Sequence, residues 1–149
     1  MRAVVQRVSS ARVEVDDQVV GSIGAGLLVY LGAGIGDGQD AVTTISRKIA
    51  GLRVFEGDDG RMTKAVQDIG GQVLVVPQFT LFGDVRRGRR PSFEKAAEPE
   101  IARTLYEEVV ATLKAQGLEV ETGQFRAQMD VHCVVAGPVT ILIDTTKLF

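Results

Sequence analysis

Val73-Leu74-Val75-Val76-Pro77-Gln78-Phe79-Thr80-Leu81 sets a β-branched apolar run directly against a polar turn. Val73 to Val76 reads as a strand buried on both faces, which delivers Gln78, Phe79 and Thr80 to a sheet edge. Pro77 restricts Val76 to extended geometry, which suits a strand end. A second segment, Val135-Ala136-Gly137-Pro138-Val139-Thr140, abuts the strand-forming run Ile141-Leu142-Ile143. Its Gly-Pro bond is one for which the cis form costs little. Loops at the ends of rigid strands are where binding and catalytic groups concentrate.

Outward from these segments the pattern is mixed. Arg2 to Val8 reads as a strand, and Val13-Glu14-Val15 with Val19-Val20 as a hairpin around Asp16-Asp17. Gly26 to Leu31 is a short apolar run of the buried-strand kind, and Gly32 to Gly38 a flexible loop. From Asp40, taken as an N-cap, Val42, Ile45, Ile49 and Leu52 recur at helical spacing. Val54-Phe55 begins another strand before the turn Gly57-Asp58-Asp59-Gly60. Glu98-Pro99 opens the longest helix, with Ile101, Leu105, Val109 and Leu113 as its apolar stripe and Gly117 as its stop. Val120, Val131 to Val135 and Val139 to Ile143 complete the sheet, the last two as a hairpin through Ala136-Gly137. Strands with inserted helices favour an α+β fold with a largely antiparallel sheet, in a single domain spanning residues 1–149.

The 149 residues carry a net charge of −2, so any contact with RNA has to come from a local patch. One cysteine, Cys133, leaves no intrachain disulfide and fits a reducing compartment. No stretch approaches a membrane span and the N-terminus has no signal-peptide layout, so a cytoplasmic location is expected. Gly32, Gly34, Gly36 and Gly38 alternate and do not make a dinucleotide fingerprint. His132 and Cys133 are adjacent on a strand and point to opposite faces, so they form no catalytic pair. With a single histidine and a single cysteine, no zinc-like ligand set exists, and neither metal nor cofactor is expected. Thr80 has a hydroxyl beside the backbone N–H groups of Phe79 and Thr80, which are placed to face an oxyanion. Taken alone it reads better as a plain strand residue, and nothing near it in sequence takes its proton.

The two opening segments resemble those of the D-aminoacyl-tRNA deacylases, whose usual forms read Ser-Gln-Phe-Thr-Leu and Gly-Pro-Val-Thr. Val5-Gln6-Arg7-Val8, Gly26-Leu27-Leu28-Val29, Arg90-Pro91-Ser92-Phe93 and Thr122-Gly123-Gln124-Phe125…Met129 also fall where that family would have them. The resemblance runs from the first strand to about Ile143. Two positions depart from it: Pro77 stands where Ser is usual, and Ala136 where a polar residue is common.

The resemblance implies a mixed, barrel-like core with two main helices. It implies hydrolysis of the ester joining a D-amino acid, or mischarged glycine, to tRNA, with Gln78, Phe79 and Thr80 at the catalytic turn. It implies a homodimer in which a cis Gly137-Pro138, followed by Val139-Thr140, enters the partner's pocket and excludes L side chains. Arg7 would brace that turn, although a solvated arginine fits the sequence as well. Phe125 and Met129 would wall the pocket, although core packing explains them equally. Arg86, Arg87, Arg89, Arg90 and Lys95 form the densest basic cluster, either a solvated loop or a contact for tRNA phosphates. Two rival readings remain: a non-enzymatic tRNA- or RNA-binding module, and a hydrolase of simple esters on the same scaffold.

Overall fold

The computed structural model describes residues 1–148. In chain order the elements are β1 (Arg2–Val15), β2 (Gln18–Ile23), β3 (Gly26–Gly32), α1 (Gln39–Ala50), β4 (Phe55–Glu56), β5 (Met62–Lys64), β6 (Gln72–Pro77), α2 (Pro99–Ala115), β7 (Glu119–Thr122) and β8 (Asp130–Asp144). The main sheet runs β2-β1-β3-β6-β7, with β8 added along β1. β1 is antiparallel to β2, β3 and β8, whereas β3–β6 and β6–β7 are parallel. The parallel centre explains the two unbroken apolar runs: Leu27 to Val29 and Val73 to Val76 are buried on both faces, as strands covered on both sides must be.

β1 is long enough to serve two sets of neighbours. Arg2 to Val8 lies beside β3, and Ala11 to Val15 beside β2. The turn into β2 places both Asp16 and Asp17 at positive φ, 49° and 61°, which matches the right-handed twist of a tight hairpin. β2 then folds back over β6 and β7. A Cβ on Gly21 would strike the carbonyl oxygen of Thr122, so only glycine lets β2 approach β7 this closely.

Two cores result. On one face Ala3, Val5, Leu27, Val29, Val73 and Val75 meet Val42, Ile45 and Ile49 of α1 and Leu105, Val109 and Leu113 of α2. On the other, Val8, Ala11, Val13, Ile23, Leu28, Leu74 and Val76 form a smaller cluster enclosed by the curl of the sheet. The α+β class and barrel-like sheet therefore agree with the expectation.

Three local expectations are corrected. β8 is one strand, with no hairpin at Ala136-Gly137. Its halves pair with β1 and not with each other: Val131 to Val134 face Val13 to Ser10, and Thr140 to Asp144 face Gln6 to Arg2. Residues 136–139 bulge out opposite Arg7 between these two stretches of ladder. The first helix is capped by Gly38 without a side-chain bond, and Asp40 sits in its first turn, where a carboxylate complements the positive helix end. Ile101 is 54 % exposed, and the buried stripe of α2 is Leu105, Tyr106, Val109 and Leu113.

Leu113 is fully buried where α2 meets the main core. Leu113→Ala should lower unfolding stability by roughly 2–5 kcal/mol through lost transfer energy and a residual cavity. Urea denaturation checks this, and an unchanged midpoint would place α2 outside the cooperative core.

Candidate functional site

A cavity of about 540 Å³ opens where β3 and β6 end side by side. Its walls are Leu31 to Ala33, Val76 to Phe79, the first turns of α2 through Tyr106, and the segment Phe125 to Met129 that leads into β8. The lining is mostly apolar with a few polar groups, the usual make-up of a small-molecule site. Phe125 packs on Tyr106 with ring centroids 6.2 Å apart. The Tyr106 hydroxyl donates to the Val75 carbonyl at 2.8 Å. Burial pushes that phenol far above its ordinary value, so it keeps the proton that it donates. Met129 closes the wall, its sulfur accepting the Gln124 N–H at 3.4 Å. The expected wall residues Phe125 and Met129 are thus brought together with Gln78 and Phe79.

The chain leaves β6 in a sharp 3₁₀ turn, Phe79–Phe82. The Gln78 N–H donates to Leu31 at 2.8 Å and the Gly83 N–H to Thr80 at 2.9 Å. Among the described residues, the N–H groups of Phe79 and Thr80 have no acceptor. Gln78 Nε2 donates to Thr80 Oγ1. The Thr80 oxygen therefore already accepts a hydrogen bond, and its own proton is left to point elsewhere. Among the described residues neither a carboxylate nor an imidazole contacts this hydroxyl, which leaves the turn with oriented donors and no general base.

Two residues that steady this turn were not singled out in the sequence. Arg2 donates through Nη1 to the Leu81 carbonyl at 3.0 Å and through Nε to Asp144 Oδ2 at 2.9 Å. Its guanidinium also lies 4.5 Å from the centre of the Phe82 ring. The available signal was an arginine inside an apolar strand, which when buried needs an acid or carbonyl partner. That logic applied to Arg7 holds for Arg2 as well.

Arg7 itself does bridge two backbone carbonyls, donating from Nε to Ala136 at 3.1 Å and from Nη1 to Val54 at 2.7 Å. The Ala136 carbonyl precedes a cis Gly137-Pro138 bond, and Gly137 has φ +125°. A Cβ on Gly137 would sit 2.8 Å from Arg7 Nη2, so glycine is required both for its backbone angle and for the guanidinium. Thr140 Oγ1 accepts from Gln6 Nε2 at 3.3 Å, and Val139 packs at the edge of the main core. Gly137 and Pro138 are exposed, and no residue from Arg7 or 136–140 lines the cavity of their own chain.

The basic cluster lies on a loop tied at its base by paired backbone bonds between Asp84 and Ser92, 2.8 and 3.0 Å. Asp84 grips Arg86 through both carboxylate oxygens, and this holds the Asp84 carboxyl far below the usual range. The Arg86 charge is thereby partly offset. Arg87, Arg89, Arg90 and Lys95 are exposed and, among the described residues, carry no ion pair. On the other face of the sheet His132 lies 3.3 Å from Glu14, and Cys133 is exposed.

The family described as D-Tyr-tRNA(Tyr) deacylase matches residues 4–144. The chain is 56 % identical to the D-aminoacyl-tRNA deacylase of Thermotoga petrophila over 149 residues, covering 100 % of both chains. It is 56 % identical to the D-aminoacyl-tRNA deacylase of Symbiobacterium thermophilum, covering 100 % of this chain and 99 % of that one. Among solved structures, one titled c-Myc DNA Unwinding Element Binding Protein superposes with a TM-score of 0.92 at 38 % identity, covering 97 % of this chain and 99 % of that one. A probable eukaryotic D-amino acid tRNA deacylase shares the fold, with a TM-score of 0.79 at 17 % identity over 95 % of this chain and 97 % of that one.

The Arg2–Asp144 clamp carries a pH signature. Burial opposes ionisation of Asp144, but bonds from the Thr146 hydroxyl and N–H and from Arg2 outweigh it and hold the carboxyl below its ordinary 3.8. A carboxyl depressed on folding contributes stability above its unfolded value, and that contribution is lost as pH falls through the folded one. Asp144→Asn should therefore be less stable than the native chain at neutral pH. The gap should narrow below about pH 3.8. Denaturation midpoints across that range check this; a gap independent of pH would mean that the clamp is not ionic.

Proposed function

Since the chain belongs to the D-aminoacyl-tRNA deacylase family and is an enzyme of that class, we propose that residues 1–149 form one catalytic domain that removes D-amino acids, and mischarged glycine, from tRNA as a proofreading step of translation in the cytoplasm. The observation that carries this reading is the turn after β6. It offers two free N–H groups and an oriented hydroxyl at the rim of an apolar cavity, without a base or nucleophile pair.

Such a turn suits an ester that is already activated. The terminal adenosine and amino acid occupy the cavity between Phe125 and Met129, and the ester carbonyl faces the N–H groups of Phe79 and Thr80. Water adds to that carbonyl, the negative charge on its oxygen is taken by the two N–H donors, and the C–O bond to the ribose breaks. The neighbouring ribose 2′-hydroxyl supplies part of the proton transfer. Thr80 orients the reactants and forms no covalent intermediate; Gln78 sets the direction of its hydroxyl. Positioning of this kind is worth several powers of ten in rate.

Chirality is read by backbone. In a homodimer the partner subunit's Gly137-Pro138 enters this cavity, with Val139 and Thr140 holding its far side. Its carbonyls leave no room for an L side chain, while a D side chain or a hydrogen fits. What supports this is that the Gly-Pro bulge is exposed, held by Arg7, and remote from the cavity of its own chain. Arg87, Arg89, Arg90 and Lys95 meet tRNA phosphates without reading sequence; Arg86, tied to Asp84, contributes less.

A deacylation assay with D-Tyr-tRNA, L-Tyr-tRNA and Gly-tRNA tests the reading. Hydrolysis of the first and third with sparing of the second is expected. Equal cleavage of both enantiomers would defeat the wedge, and binding without any turnover would favour the RNA-binding module. A terminal 2′-deoxy substrate should react at least 10²-fold more slowly, the scale of a lost acid–base group. Thr80→Ala should retain measurable turnover. If Thr80→Ala abolishes hydrolysis while the 2′-deoxy substrate is cleaved normally, substrate assistance is excluded.

A further inference from the structure

Among the described residues Phe79 is the one exposed aromatic side chain, with 58 % of its surface open. Its backbone serves the turn, but nothing in the catalytic reading uses its ring. The ring is not loose. Phe93 meets it edge to face, with centroids 5.0 Å apart and planes at 68°. Phe93 is in turn seated against Gly83, where an added Cβ would lie 3.2 Å from the Phe93 ring. The ring is thus steadied from behind while more than half of its surface remains open for a ligand to cover.

The chemistry around the ring identifies that ligand. Phe79 lies on the rim of the cavity. Phe79 and Phe93 flank the loop that bears Arg87, Arg89 and Arg90, three exposed guanidinium groups left unpaired because Asp84 engages only Arg86. An aromatic face next to the base of a loop that carries unpaired positive charge is the kind of arrangement that holds single-stranded nucleic acid, with stacking for the base and cations for the backbone. We propose that Phe79, steadied by Phe93, is a stacking platform for the unpaired base next to the terminal adenosine of tRNA, with Arg87, Arg89 and Arg90 taking the adjoining phosphates. The assignment rests on the deacylase reading and adds a subsite outside the cavity. Every base has a face to stack, so the platform admits all tRNAs alike while distinguishing tRNA from a bare aminoacyl-adenosine.

The test compares three substrates: D-Tyr-tRNA, the same tRNA abasic at the penultimate position, and D-tyrosyl-adenosine. In the native protein, removing the penultimate base should raise KM by roughly 5- to 100-fold, the range found for single base–aromatic stacks. Phe93→Leu, which removes the support but leaves the catalytic turn unaltered in sequence, should raise KM for intact tRNA, erase most of the abasic penalty, and leave kcat/KM on D-tyrosyl-adenosine within about 2-fold. A purely structural role for Phe93 would instead depress all three substrates together, and that result overturns the platform. So does native protein that cleaves intact and abasic tRNA equally, an outcome that leaves the deacylase reading standing. Failure to cleave any of the three would remove both.

Discussion

The pairing of β8 along the whole length of β1 is the constraint on which the rest of the structure depends. From Arg2 opposite Asp144 to Glu14 opposite Asp130, one ladder, shifted in register on either side of Val8, ties the two ends of the chain together. Because β1 also holds β2 and β3, every strand of the main sheet is referenced to it directly or through β3. The ladder tolerates a single large interruption, at residues 136–139, and that interruption is the Gly-Pro bulge. A bulge in an otherwise regular strand aims its backbone outward without loosening the strand on either side.

The site is built chiefly from backbone groups, and side chains serve to hold them. Arg7 grips the carbonyls of Ala136 and Val54, Arg2 grips Leu81, and Tyr106 grips Val75. Burial raises the Tyr106 phenol well above its ordinary value, which keeps the proton it donates in place. The arrangement suits a reaction whose substrate brings its own activated bond. The proposed chiral wedge calls for a rigid surface in the same way, and its backbone is held by the half-buried guanidinium of Arg7.

Much of this was legible in the residues. The continuous runs at Leu27 and Val73 announced strands covered on both faces, and the Pro99 start and Gly117 stop bracketed α2 to within two residues at its C-terminal end. The turn at Gln78-Phe79-Thr80 and the Gly137-Pro138 segment stood out by composition, and Phe125 and Met129 do share a wall with the former. What failed did so for one reason. Val131 to Val135 and Val139 to Ile143 look like hairpin arms because local pattern reports a strand and says nothing of its partner. Ile101 has helical spacing but stays exposed, since the buried face of α2 is made by Leu105, Tyr106, Val109 and Leu113. Arg2 and Asp144 are 142 positions apart, and no local signal links them.

The residues by themselves determined which segments are extended or helical, where glycine and proline force turns, and that no titratable pair is available for nucleophilic catalysis. These follow from backbone sterics and side-chain chemistry, which act over a few neighbours. Only the tertiary structure decided that β8 joins β1 end to end and that the Gly-Pro bulge lies outside the lining of its own chain's cavity. Those outcomes depend on which distant surfaces meet, and that is settled by the summed burial and pairing of the whole chain.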